Sequence, residues 1–152
     1  MKKTMLLATM LAILTIFSAC KKDEPTTNAI FTEPYLGWGA APAVVKVEME
    51  KLGFACKSFE EQTYTSNGKE TQVSAFFNEG SLYSYYFYFN SALVTFSEID
   101  DVLNSKYNLS NRNADYKQYV TKDGKTGIQI GTDTQTGYVI VAYYDVAMVD
   151  EL

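Results

Sequence analysis

The chain has 152 residues, a net charge of −5 and room for one domain with a hydrophobic core. Because it is acidic and no basic cluster follows the N-terminal segment, we do not expect it to bind nucleic acid. It contains no histidine, which excludes the commonest general base, the usual nucleophile–histidine pairs and most zinc sites. It also lacks the glycine motifs that bind phosphates or dinucleotides. We therefore expect no cofactor and no metal ion.

The first residues have the organisation of a secretory signal peptide. Lys2 and Lys3 precede an apolar run from Met5 to Phe17. This run is too short to span a bilayer, which takes about 20 apolar residues, and it suits the hydrophobic region of an export signal. We predict a signal peptide over residues 1–19.

The stretch FSAC, residues 17–20, resembles the lipobox of bacterial lipoproteins. The resemblance implies that Cys20 becomes the new N-terminus and carries acyl chains such as palmitate, which anchor the protein in a membrane. An ordinary cleavage site beside a cysteine is the alternative. No aspartate follows Cys20, and Lys21–Glu24 resembles the export tag of some surface lipoproteins, with a solvated linker as the alternative. The expected location is the outer membrane of the cell envelope, on its periplasmic or its surface-exposed face.

The chain after the signal divides into a tether and one domain. Residues 20–34 are predicted to be the lipidated cysteine and a flexible tether, and residues 35–152 a single domain. The first element is a helix over Ala41–Leu52, with Pro42 in its first turn and Gly53 at its end. Its predicted buried face consists of Ala41, Val45, Met49 and Leu52.

Strands follow this helix. Phe54–Thr65 is predicted to be extended with a break near Glu60. Asn67-Gly68 predicts a two-residue hairpin turn, because both positions tolerate positive φ, and further turns are predicted at Glu79-Gly80 and Asn90-Ser91. The other predicted strands of this half are Thr71–Phe77, Leu82–Phe89 and Leu93–Phe96.

A second helix opens the second half. It is predicted to start at Ser97, whose hydroxyl can cap a free backbone amide, and to end near Asn108. Residues 109–113 are predicted to form a loop. Turns are predicted at Asp123-Gly124 and at residues 133–137. The predicted helix face is Ile99, Val102, Leu103 and Tyr107, and the strands are Tyr116–Thr121, Gly127–Thr132 and Tyr138–Val146.

The order of elements predicts an α+β fold. Short connections require antiparallel neighbours, so we expect a two-layer domain with one antiparallel sheet of about six or seven strands and two helices on one face. Each helix opens a meander, which suggests two α-β-β-β units. The helix entry GWGAAPAVVKVEMEKLG, residues 37–53, resembles that of BamE-like outer-membrane assembly lipoproteins and of β-lactamase-inhibitor-protein-like domains. This resemblance implies a fold rather than an activity.

The strand SLYSYYFYFN, residues 81–90, is unusually aromatic. Its two faces are predicted to be Tyr83, Tyr85, Phe87 and Phe89 toward the core, and Leu82, Ser84, Tyr86 and Tyr88 on the other side. The second set indicates either cross-strand packing on an open face or a platform for a protein or a glycan. Tyr143 joins it if the last strand adjoins with the same parity. The candidate binding residues are Tyr86, Tyr88, Tyr143 and Trp38.

No catalytic constellation is visible in the sequence. The acidic pairs Glu60-Glu61 and Asp100-Asp101 point in different directions on a strand or helix, and we assign them to solvated surface. The predicted function is that of a non-catalytic, membrane-anchored lipoprotein that binds a protein or another envelope component through its sheet face. The alternatives are a protein that captures a glycan or another small ligand on its aromatic face and, less favoured, a hydrolase that uses carboxylates.

Overall fold

The computed structural model describes residues 30–149. They form one antiparallel sheet of eight strands, two longer helices, α1 (Pro42–Lys51) and α2 (Phe96–Lys106), and a short helix α3 (Val146–Val149). The predicted α+β class is confirmed, with slightly more strands than expected. The predicted signal peptide and Cys20 lie outside the described residues. The strands are β1 (Ala55–Ser58), β2 (Thr63–Thr65), β3 (Gln72–Asn78), β4 (Ser81–Asn90), β5 (Asn108–Arg112), β6 (Tyr116–Val120), β7 (Thr126–Asp133) and β8 (Tyr138–Asp145).

The sheet is built from two similar halves. The strand order is β1-β2-β3-β4-β8-β7-β6-β5, so two four-stranded meanders join through their last strands, β4 and β8. Each meander is preceded by its own helix. We call residues 42–90 unit 1 and residues 96–145 unit 2. The predicted α-β-β-β repeat is therefore an α-β-β-β-β repeat, one strand longer than expected.

The two units match in register as well as in order. In unit 1, Tyr64 of β2 pairs with Val73 of β3, and in unit 2, Tyr119 of β6 pairs with Ile128 of β7. All four side chains are buried. The helices bury residues at the same spacing, one turn apart. These are Val45 and Met49 in α1, and Ile99 and Leu103 in α2.

The core lies between the two helices and one face of the sheet. Phe87 stands near its centre, with its ring centroid within 6.5 Å of four other aromatic ring centroids. Burying each large apolar side chain stabilises the fold by about 1.5–3 kcal/mol. The central residues are Tyr85, Phe87 and Phe89 on β4 and, opposite them, Tyr143, Val141 and Val139 on β8.

The packed domain begins earlier in the chain than predicted. Phe31 is only 6% exposed, and its ring centroid lies 5.7 Å from those of Phe87 and Phe89. The described part of the predicted tether 20–34, which starts at Ile30, therefore belongs to the domain. The sequence analysis missed this part of the domain because one buried aromatic residue alone produces no periodic pattern.

The two-residue turn predicted at Asn67-Gly68 is wrong. Neither residue has a positive φ, and residues 66–71 form a longer loop between β2 and β3. The Lys69 amide donates to the carbonyl of Ile30 at 2.7 Å. A Cβ on Gly68 would lie 3.0 Å from that carbonyl oxygen and from the Cα of Phe31. The glycine is therefore required by the close approach of the N-terminal segment rather than by turn conformation.

Strand β5 occupies residues 108–112, most of which were predicted to form a loop. It is an edge strand that pairs only with β6, and all five of its side chains are exposed. Main-chain pairing therefore forms this strand without any buried face, and no apolar alternation could mark it in the sequence.

The start of α2 also differs from the prediction. Residues Leu93–Phe96 are not a strand: the first three form a turn, and Phe96 is the first residue of the helix. The N-cap is Thr95 rather than Ser97: the Thr95 hydroxyl accepts from the Glu98 amide, and the Glu98 carboxylate accepts from the Thr95 amide. This capping box satisfies two backbone amides.

Helix α1 and the turn before β4 lie close to the predicted positions. The two ends of the predicted helix face, Ala41 and Leu52, are exposed rather than buried, so only the two middle residues contact the core. The turn at Glu79-Gly80 is confirmed, with φ values of 49° and 78°.

Asp100 is not the solvated surface residue that its sequence context predicted. Its carboxylate accepts from the ammonium of Lys117 and from the hydroxyl of Tyr119, both on β6. These bonds join α2 to the sheet within unit 2. Its neighbour Asp101 is exposed, as predicted.

Candidate functional site

The face of the sheet opposite the helices carries a groove over β4, β8, β7 and β6. We call it the open-face groove. Its volume is about 590 Å³, and small-molecule sites typically measure roughly 300–1,000 Å³. Tyrosines, small residues and uncharged polar side chains from the four strands line most of it, and Val149 of α3 lies at its edge.

A bulge in β4 decides which of its first residues reach this groove. Phe76 pairs with Ser84, and Phe77 pairs with Leu82, so Tyr83 is the additional residue. Leu82 is consequently 1% exposed within the core, and Tyr83 lines the groove. The predicted faces of these two residues were therefore wrong. From Ser84 onward the predicted alternation is confirmed.

Four tyrosines line the open-face groove. Tyr83 and Tyr86 lie on β4, Tyr116 on β6 and Tyr144 on β8. Tyr86 is 37% exposed, and its ring packs edge-on against Phe76, with the centroids 5.1 Å apart. Such pairs contribute about 0.5–1.5 kcal/mol. The Tyr86 ring is therefore held in place while part of its surface stays free for contact.

A glycine on the neighbouring strand positions the ring of Tyr144. Gly127 pairs with Tyr144 across β7 and β8, and a Cβ on Gly127 would lie only 2.2 Å from Cζ of the tyrosine. The ring therefore lies across the glycine, as aromatic residues do at unprotected glycines in sheets. Burial raises the pKa of the Tyr144 hydroxyl, so it remains a protonated donor at neutral pH.

Polar groups without full partners line the same groove. Gln118 and Gln129 pair across β6 and β7, and their side chains share one hydrogen bond of 3.1 Å from Nε2 to Oε1. Each amide has further donor and acceptor positions. Ser84 is 3% exposed, and its Oγ has no hydrogen-bond partner among residues 30–149. Orphaned buried hydroxyls are uncommon and require an explanation.

The charge of the groove is negative. Asp115 and Asp133 contribute to its lining, and no Lys or Arg is among the described lining residues. The Asp133 carboxylate accepts from the Thr136 hydroxyl and the Gln135 amide, and these bonds lower the pKa of Asp133. It therefore stays ionised at neutral pH.

The groove lies mainly on unit 2 because a glycine stands there where unit 1 has a phenylalanine. Val73 and Ile128 are equivalent, since each pairs with the buried tyrosine of its unit. Phe76 lies three residues after Val73, and Gly131 lies three residues after Ile128. Phe76 fills its part of the face, whereas a Cβ on Gly131 would find no heavy atom closer than 3.5 Å.

The predicted residues Tyr86 and Tyr88 lie on the open face. Tyr86 lines the groove. Tyr88 lies further along β4, half-buried, where its ring meets that of Tyr138 edge-on with the centroids 6.3 Å apart. Tyr88 therefore packs beside the groove rather than within it.

Tyr143 and Trp38 do not join these tyrosines. Strand β8 adjoins β4 as supposed, but its parity is the opposite: Tyr143 pairs with Tyr85 and is 0% exposed in the core. Its neighbour Tyr144 lines the groove instead. The Trp38 indole donates to Oγ1 of Thr126 at 2.9 Å, and its ring packs against Tyr85 on the helix side of the sheet.

A second, separate cleft of about 430 Å³ adjoins Trp38. Lys106, Lys122 and Lys125 contribute to its lining, together with the single carboxylate of Asp123. The Lys106 ammonium is paired with Glu33 at 3.1 Å. The two concavities therefore differ in charge, the open-face groove acidic and this lysine cleft basic.

Sequence reasoning missed Gln118, Gln129 and Gly131. A signal for them exists in the segment GIQIG, residues 127–131, where buried isoleucines alternate with glycine and glutamine. That pattern predicts a strand with one packed face and one face of small or polar residues.

No protein-family model, curated protein or solved structure matches this chain. The resemblance stated for residues 37–53 stays a prediction. Among residues 30–149, no helix has the length and apolar character needed to cross a bilayer. In the same range, no group of three or more His, Cys, Asp or Glu side chains is arranged to hold a metal ion.

Proposed function

We propose that this chain is a non-catalytic, lipid-anchored protein of the bacterial cell envelope that binds a partner through the open-face groove. The groove carries this proposal: tyrosine rings and incompletely paired polar groups are gathered on one side of a hydrogen-bonded sheet. Sites built on regular elements hold their side chains more precisely than sites on loops. Such a surface suits recognition.

The anchor is proposed from the lipobox FSAC and Cys20. The packed domain starts at Ile30, ten residues after that cysteine. A fully extended connection of this length spans at most about 35 Å. A domain attached in this way stays near the bilayer, where its partners are envelope components.

Binding without turnover is favoured by the chemistry of the lining. The chain has no histidine, and burial raises the pKa of Tyr144, which disfavours the deprotonated form that could act as a base. The carboxylate of Asp133 is engaged by its own turn. These groups can hold a ligand but are poorly arranged to move protons.

Photo-crosslinking in cells tests the binding part of the proposal. A benzophenone amino acid at Tyr86 should capture a discrete envelope component, and the same residue at exposed Leu93, outside the groove lining, should not. The capture should disappear when Gly131→Phe fills the groove. Equal products at the two positions, or a product that Gly131→Phe leaves unchanged, would contradict binding at the groove.

Metabolic labelling with a palmitate analogue tests the anchor. The wild-type protein should carry the label, and Cys20→Ser should lose it and become soluble or remain unprocessed. Cys56→Ser is the matched control, because it removes the other cysteine and should keep the label. Undiminished label on Cys20→Ser would rule out the anchor.

A further inference from the structure

We infer that the ligand of the open-face groove is a neutral saccharide. The inference rests on the proposed binding function and goes beyond it by naming the chemical class of the ligand. Three properties of the groove lead to it: the state of the backbone beneath it, the side chains that line it and its charge.

The backbone beneath the groove is already paired. Strands β4, β8 and β7 each have a hydrogen-bonded neighbour on both sides, and β6 lies between β7 and β5. An extended peptide usually binds a sheet by pairing with the main chain at a free edge. On this face it would find no free main-chain groups. A ligand here must be recognised by side chains alone.

The lining side chains offer flat apolar surfaces beside groups that both donate and accept hydrogen bonds. Tyr86 and Tyr116 supply rings, and the C–H face of a sugar ring can lie against such a surface. Gln118 and Gln129 supply amide donors and acceptors, which match sugar hydroxyls because each hydroxyl also donates and accepts. Ser84 also lines the groove, with its unpaired Oγ buried beneath the surface.

The charge of the groove disfavours an acidic ligand. Asp115 and Asp133 are among its lining residues, and no cationic side chain is among those that the structure describes there. A uronic acid, a sialic acid or a phosphate group would be repelled by these carboxylates. Acidic ligands would instead favour the lysine cleft beside Trp38, which lies elsewhere on the domain.

A pair of variants that each introduce a phenylalanine tests the inference. Gly131→Phe places in unit 2 the side chain that Phe76 supplies in unit 1, and so fills the groove. Leu93→Phe is the control, because it introduces the same ring at an exposed position outside the groove lining. Gln129→Leu is a second test variant that removes one amide at nearly constant size. All variants should keep melting temperatures close to that of the wild type.

The binding assay uses the lipidated full-length protein in a detergent without sugar groups, on an array of neutral and acidic oligosaccharides followed by calorimetric titration. We expect neutral saccharides to bind wild-type protein and Leu93→Phe equally. Gly131→Phe and Gln129→Leu should each weaken this binding by about tenfold or more. Acidic saccharides should show no binding that depends on Gly131.

The outcomes separate this inference from the proposed function. If no neutral saccharide binds while crosslinking at Tyr86 is still lost in Gly131→Phe, the groove binds another class of ligand and the saccharide inference is wrong. Acidic saccharide binding that is abolished by Gly131→Phe would also overturn it. If Gly131→Phe changes neither crosslinking nor saccharide binding, both proposals are wrong.

Discussion

Units 1 and 2 share one architecture but present different open faces. Their helix-side residues match position by position, with a buried tyrosine on the second strand and two buried residues one turn apart on each helix. On the open face, Phe76 in unit 1 corresponds to Gly131 in unit 2. The comparison shows that packing in the core constrains the residue types of both units in the same way, whereas the residue types on the open face differ between them. The candidate site lies where it differs.

The helices of the two units differ in how their N-termini are capped. The N-cap of α2, Thr95, forms a capping box with Glu98, whereas the N-cap of α1, Ala41, makes no side-chain bond. Helix α1 therefore depends more on packing against the sheet, and α2 is also stabilised by local contacts.

The largest effect is expected where the two units meet. Phe87 on β4 contacts rings of both units, including Tyr143 on β8. Phe87→Ala should lower the free energy of unfolding by about 3–5 kcal/mol, because it removes a buried ring and leaves a cavity. Denaturant unfolding measures this. The control is Tyr88→Ala, next in sequence on the open face, which should cost clearly less. Equal costs would mean that the faces of β4 are misassigned.

A smaller loss of stability is expected at Asp100, whose carboxylate bonds to β6 involve residues of unit 2 alone. Asp100→Asn should destabilise the protein by about 1–3 kcal/mol, because the Lys117 ammonium and the Tyr119 hydroxyl lose a charged acceptor. The adjacent Asp101→Asn is the control and should have little effect, since that side chain is exposed. Similar urea unfolding midpoints for both variants would contradict this stabilising role of the Asp100 carboxylate.

Alkaline pH should act on both units through the equivalent tyrosines. Burial raises the pKa of Tyr64 from 10.0 to about 12. Burial, together with the bond to Asp100, raises that of Tyr119 further. The folded pKa exceeds the unfolded one, so this stabilisation is complete below pH 10 and is lost as the pH rises through the folded values. Stability should therefore fall above about pH 10.

Stability measured against pH, with tyrosinate absorbance as a second signal, checks this prediction. Tyr64→Phe and Tyr119→Phe should each make the alkaline decline less steep. Both variants should also lose stability at neutral pH, because Gln62 then loses the donor of Tyr64 and Asp100 loses the donor of Tyr119. A stability profile that stays flat up to pH 12 would show that these hydroxyls are not buried in the way described.

The smallest effects are expected at the two helix starts. Thr95→Ala should cost about 0.5–2 kcal/mol by removing the capping box of α2. Ala41→Ser should give a smaller gain by supplying the bond that α1 lacks, since Ala41 already has extended backbone angles. Thermal melts of the two variants measure both changes. A gain for Thr95→Ala, or a loss for Ala41→Ser, would reverse the comparison of the helices.

The sequence predicted what depends on periodicity within one element. The helix over 41–52 and the alternation from Ser84 to Phe89 belong to this class. It did not predict what depends on neighbouring strands. Tyr143 was assigned to the wrong face because alternation within β8 leaves its parity relative to β4 undetermined.

The remaining misses have local causes. The bulge at Tyr83 reverses the faces of Leu82 and Tyr83 alone, and no turn residue at the bulge marks it in the sequence. Strand β5 has no buried residue to reveal it. Of the candidate site, only Tyr86 was predicted within the groove. The role of Gly131 in leaving the groove open is seen only by comparison with Phe76. That comparison requires knowledge of the strand pairing in both units.

The position of Phe31 has a mechanical consequence. If Cys20 is held in a bilayer as proposed, any tension along the connection enters the domain at this ring, which is seated against Phe87 and Phe89 on the helix side of β4. A ligand bound in the groove, as proposed, would contact the reverse side of the same strand. Pulling should then extract Phe31 before it disturbs Tyr86, and ligand binding should persist under a force between membrane and ligand.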